Sequence, residues 1–235
     1  MVVPLVSMVG IYLLWVVYPS GYLWGTAEDS LVEWMTVVCY LAAAAVAAVL
    51  VPRWWRRGRR LTAIAYVVLC LGFLVIAGEE VSWGQRVLGF EGPSALVEAN
   101  LQDEANLHNL LDRYALHGLY IVIGVWGVGV GRWVVSRVAW LQPGYAYAPS
   151  KDLLWWFLPA LVYYLYVDYG VPAAGVAGVA LGEGPPRFQE PVELLLGAGF
   201  LLFMVEVWLR GACARQPALT SASQASPTRG PRVRI

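Results

Sequence analysis

Residues 61–78, LTAIAYVVLCLGFLVIAG, run on without a single charged side chain. A helix needs about 20 apolar residues to cross the hydrocarbon layer of a bilayer. Inside that layer no water meets the backbone, so a chain that enters it must satisfy its own N–H and C=O groups, as a helix or a closed barrel. Comparable apolar stretches occur at 2–18, 30–51, 114–135, 152–171 and 190–210. Only 14% of the 235 residues are charged, against about 25% in soluble domains. The expectation is an all-α, polytopic integral membrane protein with about six transmembrane helices.

Breakers punctuate these runs. The first ends at PSG, the second is expected to stop at Pro52 and RWWRRGRR, and the fifth contains Pro159. The fourth carries GVWGVGVG, whose small residues at helical spacing suit close helix packing. Nothing precedes the first run that resembles a basic leader, and no small-x-small cleavage site follows it. Residues 2–18 therefore read as a retained helix. Residues 211–235 hold too little apolar surface to fold alone and read as a disordered tail. Three scattered cysteines form neither a CxxC nor an even framework, so disulfides and thiolate metal sites are not expected.

Basic residues set the expected orientation. Arg53, Arg56, Arg57, Arg59 and Arg60 lie between the second and third runs, Arg132, Arg137 and Lys151 between the fourth and fifth, and Arg210 begins the tail. All fall on one side of a six-helix path, which the positive-inside rule makes cytoplasmic. Both termini then lie inside, and residues 79–113 lie outside, where an amphipathic helix is expected between the third and fourth spans. From Glu79 onward the outer face gathers carboxylates at 79, 80, 91, 98, 103, 104, 112, 168, 183, 190 and 193, against Arg86, Arg113 and Arg187. If buried, so many acids must hold protons or bind a cation.

Within SALVEANLQDEANLHNLLDR, Asn100, Glu104 and His108 follow one another at four-residue steps on the apolar arc of a helix, while Gln102, Asn106 and Asn109 take the wetted side. A glutamate and a histidine at i and i+4 can share a metal ion or a proton. The plainer alternative is a helical hydrogen bond at the membrane surface. Glu79 and Glu80 leave the third span directly, followed by Trp83, Gln85 and Arg86. They could be helix-end carboxylates paired to Arg86, but ionisable groups at membrane depth point by default to function. Glu190 and Glu193 are one turn apart, with Arg187 a turn earlier, and acids in a first turn also favour the helix dipole. Asp168 ends the fifth span. His117 reads as a packed or interfacial histidine, and Glu206 as the partner of Arg210 four residues on.

The expected site has Glu79, Glu80, Arg86 and Glu104 as reacting groups, and Glu104, His108, Glu190 and Glu193 as metal ligands. Trp83, Gln85, Asn100, Asp168 and Arg187 would contact substrate. Carboxylate with imidazole suits Zn²⁺, Mn²⁺ or Fe²⁺, and an oxygen-only subset suits Ca²⁺ or Mg²⁺. The sequence contains no HExxH, P-loop or GxSxG in a suitable context, and no nucleic-acid partner is expected.

GEEVSWGQR, together with NLQDEANLHN at 100–109, resembles a motif of an uncharacterised family of bacterial multi-pass membrane proteins. The likeness implies a bacterial membrane origin and brings no reaction with it. A more distant similarity is to the CAAX-protease-like intramembrane endopeptidases, which carry EExxxR and FxxxH. Here Arg86 stands two residues further along, and Glu104 replaces the aromatic before His108. Alkaline-ceramidase-like membrane hydrolases also use carboxylates and zinc near a membrane face, with three histidines where this chain has two.

Three functions fit these residues. The first is a metal-dependent hydrolase or transferase acting on a lipid, lipid-linked or envelope substrate at the outer face of the cytoplasmic membrane. The second is a proton- or cation-coupled transporter or ion-binding protein. The third is a non-enzymatic assembly partner whose polar face docks another envelope protein.

Overall fold

The computed structural model describes residues 2–27, 29–89, 113–170 and 187–213. Every regular element among them is helical. α1 (Val3–Val17) and the short α2 (Pro19–Gly25) form an N-terminal pair. α3 (Leu31–Arg56) and α4 (Arg60–Glu80) follow, joined by a tight turn at Gly58, where φ is +72°. After α5 (Gln85–Leu88), α6 (Arg113–Val125) runs through a π turn at Trp126–Val130 into α7 (Gly131–Arg137). α8 (Leu154–Leu165) ends in a second π turn at Tyr166–Gly170, and α9 is Gln189–Cys213.

Four helical segments, Leu31–Arg56, Arg60–Glu80, Tyr114–Arg137 and Gln189–Ala212, are long and apolar enough to cross a membrane. α1 and α8 are apolar but shorter, and they stand where the first and fifth runs were expected. The chain is an all-α polytopic membrane protein. The amphipathic helix expected between the third and fourth spans falls outside the described residues, as does the tail from 214 onward.

The second run does not end at Pro52: α3 continues to Arg56 with the proline inside it. Proline removes one backbone donor, and so close to the helix end this costs a single bond, to the Ala48 carbonyl. The added turn brings Trp54 into the core at 2% exposure, and that burial offsets the loss. α9 likewise extends three residues beyond the expected Arg210, to Cys213.

The helices pack in the order α4, α3, α9, α8, α6, with α1 against α8 and α9. The last described helix is thus the central one. It can be central because its two packed faces are thin. A Cβ at Gly197 would sit 3.2 Å from the Tyr40 ring of α3, and one at Gly199 would lie 2.9 Å from Trp156 of α8. The glycines of α6 act as their spacing suggested. A Cβ at Gly124 would stand 2.7 Å from Leu161, and one at Gly127 would stand 2.2 Å from the Phe157 ring, so α8 lies directly on the α6 backbone. Membrane helices associate through such close contact, because lipid supplies no hydrophobic drive between them.

Phe200 of α9 is the hub of the core. Its ring lies 5.2 Å from Phe73, 5.4 Å from Phe157, 6.0 Å from Trp126 and 6.3 Å from Tyr40. Phe203 extends the cluster against Trp126 at 5.5 Å. Polar groups gather beyond this plug at either end. At the arginine-rich end, Arg132 donates to the carbonyls of Val128, Pro149 and Ser150. Glu206 accepts the Ser150 N–H at 3.1 Å and, as expected, pairs with Arg210. At the other end lie the acids.

Candidate functional site

Three helix ends meet at the acidic face. α4 finishes on Glu80, α9 begins with Glu190 and Glu193, and α3 begins with Glu33 in its first turn. One carboxylate oxygen from each of Glu80, Glu190 and Glu193 lies within 4.8 Å of the other two, and all three residues are half-buried. Residues 110 or more positions apart are therefore brought to one point, as the topology implied. At 4.8 Å two unit charges repel by about 3.5 kcal/mol at an effective dielectric of 20. Three ionised carboxylates in this arrangement need a cation or shared protons to offset that repulsion.

The helix dipoles do not explain the cluster. An acid in a first turn is stabilised by the partial positive charge there, which serves Glu33 and Glu190 but not Glu193, a turn further in. Glu80 sits at the opposite pole, where the unpaired carbonyls of α4 disfavour a carboxylate. Its position works against local stability, and among the described residues it faces three more acids, Glu193, Glu190 and Glu33.

Around the triad lies a shell of phenols and acids. Tyr164 of α8 donates its hydroxyl to Glu193 Oε1 at 2.8 Å, and the Tyr120 hydroxyl of α6 bonds the same carboxylate. Their two rings are stacked, centroids 4.5 Å apart and 8° from parallel. Glu33 is only 7% exposed, accepts the Asp29 N–H and lies within electrostatic reach of all three glutamates. Tyr22 of α2, 1% exposed, brings a hydroxyl near Glu190 and Thr26 with no well-formed hydrogen bond of its own. Burial pushes that phenol up to about 12, so it stays a neutral donor at ordinary pH.

The other expected residues are distributed as follows. Glu79 is buried and turns away from Glu80, accepting a 2.7 Å hydrogen bond from the Trp83 indole. Trp83 is 47% exposed, with φ at +55°, and its ring covers Gly78 closely enough that a Cβ there would meet it at 2.9 Å. Glu79 thus anchors an interfacial tryptophan, while Glu80 alone joins the triad. Gln85 opens α5. Arg187 sits just before α9, exposed, with its guanidinium 3.5 Å from the Thr26 carbonyl and facing the charge of Glu190. Asn100, Glu104 and His108 lie outside the described residues, as does the Arg86 side chain.

Asp168, expected at the end of the fifth span, is buried there. At 7% exposure it lies in the π turn after α8 and accepts from His117 Nδ1–H of α6 at 2.8 Å. The His117 ring packs on Tyr164 at 4.7 Å. An Asp–His pair therefore stands behind the phenol that holds Glu193. The sequence reading missed this pairing, and it missed Glu33 and both tyrosines. Glu33 could have been found, because the same six-helix path puts the start of α3 on the acidic face. The tyrosines carried no signal beyond their apolar bulk.

Compared with protein-family profiles, with curated proteins and with solved structures, the chain matches none of them.

Proposed function

We propose that this protein is a divalent-cation-dependent hydrolase or transferase of the bacterial cytoplasmic membrane, acting from the extracytoplasmic face on a lipid or envelope substrate. The observation that carries this reading is the convergence of Glu80, Glu190 and Glu193, with Glu80 placed against its own helix dipole. A cation at their midpoint removes both the mutual repulsion and the dipole penalty. The donors are oxygen atoms, which suit Mg²⁺, Mn²⁺ or Ca²⁺. Zn²⁺ or Fe²⁺ would draw on His108 in addition. Such an ion would polarise a substrate oxygen and make bound water easier to deprotonate by a nearby base. Tyr164 and Tyr120 orient Glu193, Glu33 is placed to accept a proton, and Arg187 to meet an anionic group. The basic-residue asymmetry supports a cytoplasmic location for both termini.

The described core argues against the transport reading. Between Glu193 and Glu206, α9 turns Leu196, Phe200, Phe203 and Met204 into the bundle, and the aromatic hub fills the space around them. Thirteen residues of helix are about 20 Å of path, and it is lined with hydrocarbon. Glu206 is engaged with Ser150 and Arg210, consistent with a structural role.

The test is elemental analysis of purified protein after exposure to equal Mg²⁺, Mn²⁺, Ca²⁺ and Zn²⁺, followed by dialysis. A parallel arm measures ion-dependent release of water-soluble product from a total lipid extract. About one retained equivalent is expected, lost in Glu80→Gln/Glu193→Gln together with turnover. Metal content at background in the wild type would sink the proposal. Binding without turnover, but with ion flux into reconstituted vesicles, would transfer the case to transport.

A further inference from the structure

The opposite end of the molecule carries a second feature, independent of the acidic triad. Ala45, Val46 and Val49 of α3 and Val205 and Trp208 of α9 line a wholly apolar groove of about 360 Å³, open to the side of the bundle. α3 and α9 both run toward the arginine-rich end, where Arg57 donates to the Gly211 carbonyl at 2.8 Å and holds the two helix ends together. Along α3, Ala45, Val49, Arg53 and Arg56 follow at steps of four, four and three residues, which places them on one stripe. The Arg53 guanidinium lies over the Trp208 ring at 5.4 Å, at the mouth of the groove. From Ala45 to Arg53 the stripe rises about 12 Å.

We propose that this groove is a binding site for one anionic phospholipid of the arginine-side leaflet. An acyl chain lies along Ala45 and Val49, and the phosphate rests beside Arg53 and Arg56. Charge selects this occupant. Arg53 stands over the lining residue Trp208, Arg56 shares the last turn of α3, and Arg57, Arg59 and Arg60 follow within four residues, while Glu206, the acid on this stretch of α9, is already bonded to Arg210. A second copy of the chain would set the same arginines against these. The chain's own residues 214–235 contain four arginines and no acid, so they too are repelled. A lipid phosphate is opposite in sign to this basic end, and the apolar groove accepts its tail. Juxtamembrane arginines attract anionic headgroups by about 1 kcal/mol each. A phosphate held between two of them is therefore expected to exceed a zwitterionic lipid by more than tenfold.

Native mass spectrometry of the full chain, released from nanodiscs of equal phosphatidylglycerol and phosphatidylcholine, tests this. The expected result is one retained lipid per chain, at least tenfold enriched in phosphatidylglycerol. Val49→Trp, which fills the groove, should abolish retention. Arg53→Gln should keep a lipid but lower the headgroup ratio about fivefold, whereas Arg132→Lys, distant along the chain, should leave it unchanged. Absence of headgroup preference in the wild type overturns the proposal, as does a preference untouched by Arg53→Gln. A lipid-free dimer that Val49→Trp dissociates also overturns it, in favour of a second copy as occupant.

Discussion

Removing one oxygen atom separates a cation centre from a mere knot of acids. Tyr164→Phe deletes the hydroxyl that donates to Glu193 at 2.8 Å and leaves the ring, with its stack on Tyr120 and its tilted contact with His117. A hydrogen bond to a charged acceptor contributes about 1.5–3 kcal/mol. Partners that orient metal ligands typically carry 10–100-fold in metal affinity. These two scales agree, because each decade of affinity is about 1.4 kcal/mol. Tyr164→Phe should therefore weaken Mn²⁺ binding by roughly ten- to a hundredfold, read by calorimetric titration or Mn²⁺ resonance in nanodiscs. Glu193→Gln should weaken it further, and Tyr164→Phe in that background should add little, since the acceptor charge is already gone. Equal affinity in Tyr164→Phe and wild type, alongside a strong loss in Glu193→Gln, would show that the phenol only packs. Tighter binding in Tyr164→Phe would refute the reasoning outright, for the hydroxyl would then be competing with the ion.

Three further outcomes follow from the same geometry. A cation that binds only the folded chain should raise its stability by about 2.7 kcal/mol at a hundred times Kd, seen as a thermal shift on adding Mg²⁺, Mn²⁺ or Ca²⁺ and cancelled by chelator; no shift with any of them counts against the centre. Gly127→Val should destabilise the bundle by at least about 1–3 kcal/mol, because its Cβ would enter the Phe157 ring; unfolding in a denaturant series should show this, and a neutral result would contradict the α6–α8 contact. Asp168→Ala should cost about 1–3 kcal/mol by leaving His117 Nδ1 without its partner, measured in the same series, and His117→Ala in that background should then cost little more.

Much of the fold was legible because a bilayer leaves the chain few choices: an apolar run with no water beside it must be a helix. The triad was legible in part for the same reason. Counting crossings put Glu80, Glu190 and Glu193 on one face, and the structure brings their oxygens together. What pattern could not reveal was lateral order. That α9 inserts between α3 and α8 depends on Gly197 and Gly199 meeting particular rings, and no spacing rule names those partners. The His117–Asp168 pair and the Tyr164–Glu193 bond depend on that order. Glu79 and Glu80, adjacent in sequence, were expected to act together. A helix turns about 100° between them, which gives one to Trp83 and the other to the triad.

The central place of α9 has a consequence for how the protein is made. Synthesis runs from the N-terminus at about 5–20 residues per second, so every other described helix reaches the membrane seconds before the one they pack around. Until then the inner faces of α3 and α8 are held by lipid, and no combination of the earlier helices contains the Phe200 hub. Assembly of the described bundle therefore waits for α9. The acidic centre cannot form early, since two of its three glutamates arrive on that helix: the acidic face and the packed bundle come into being in the same event.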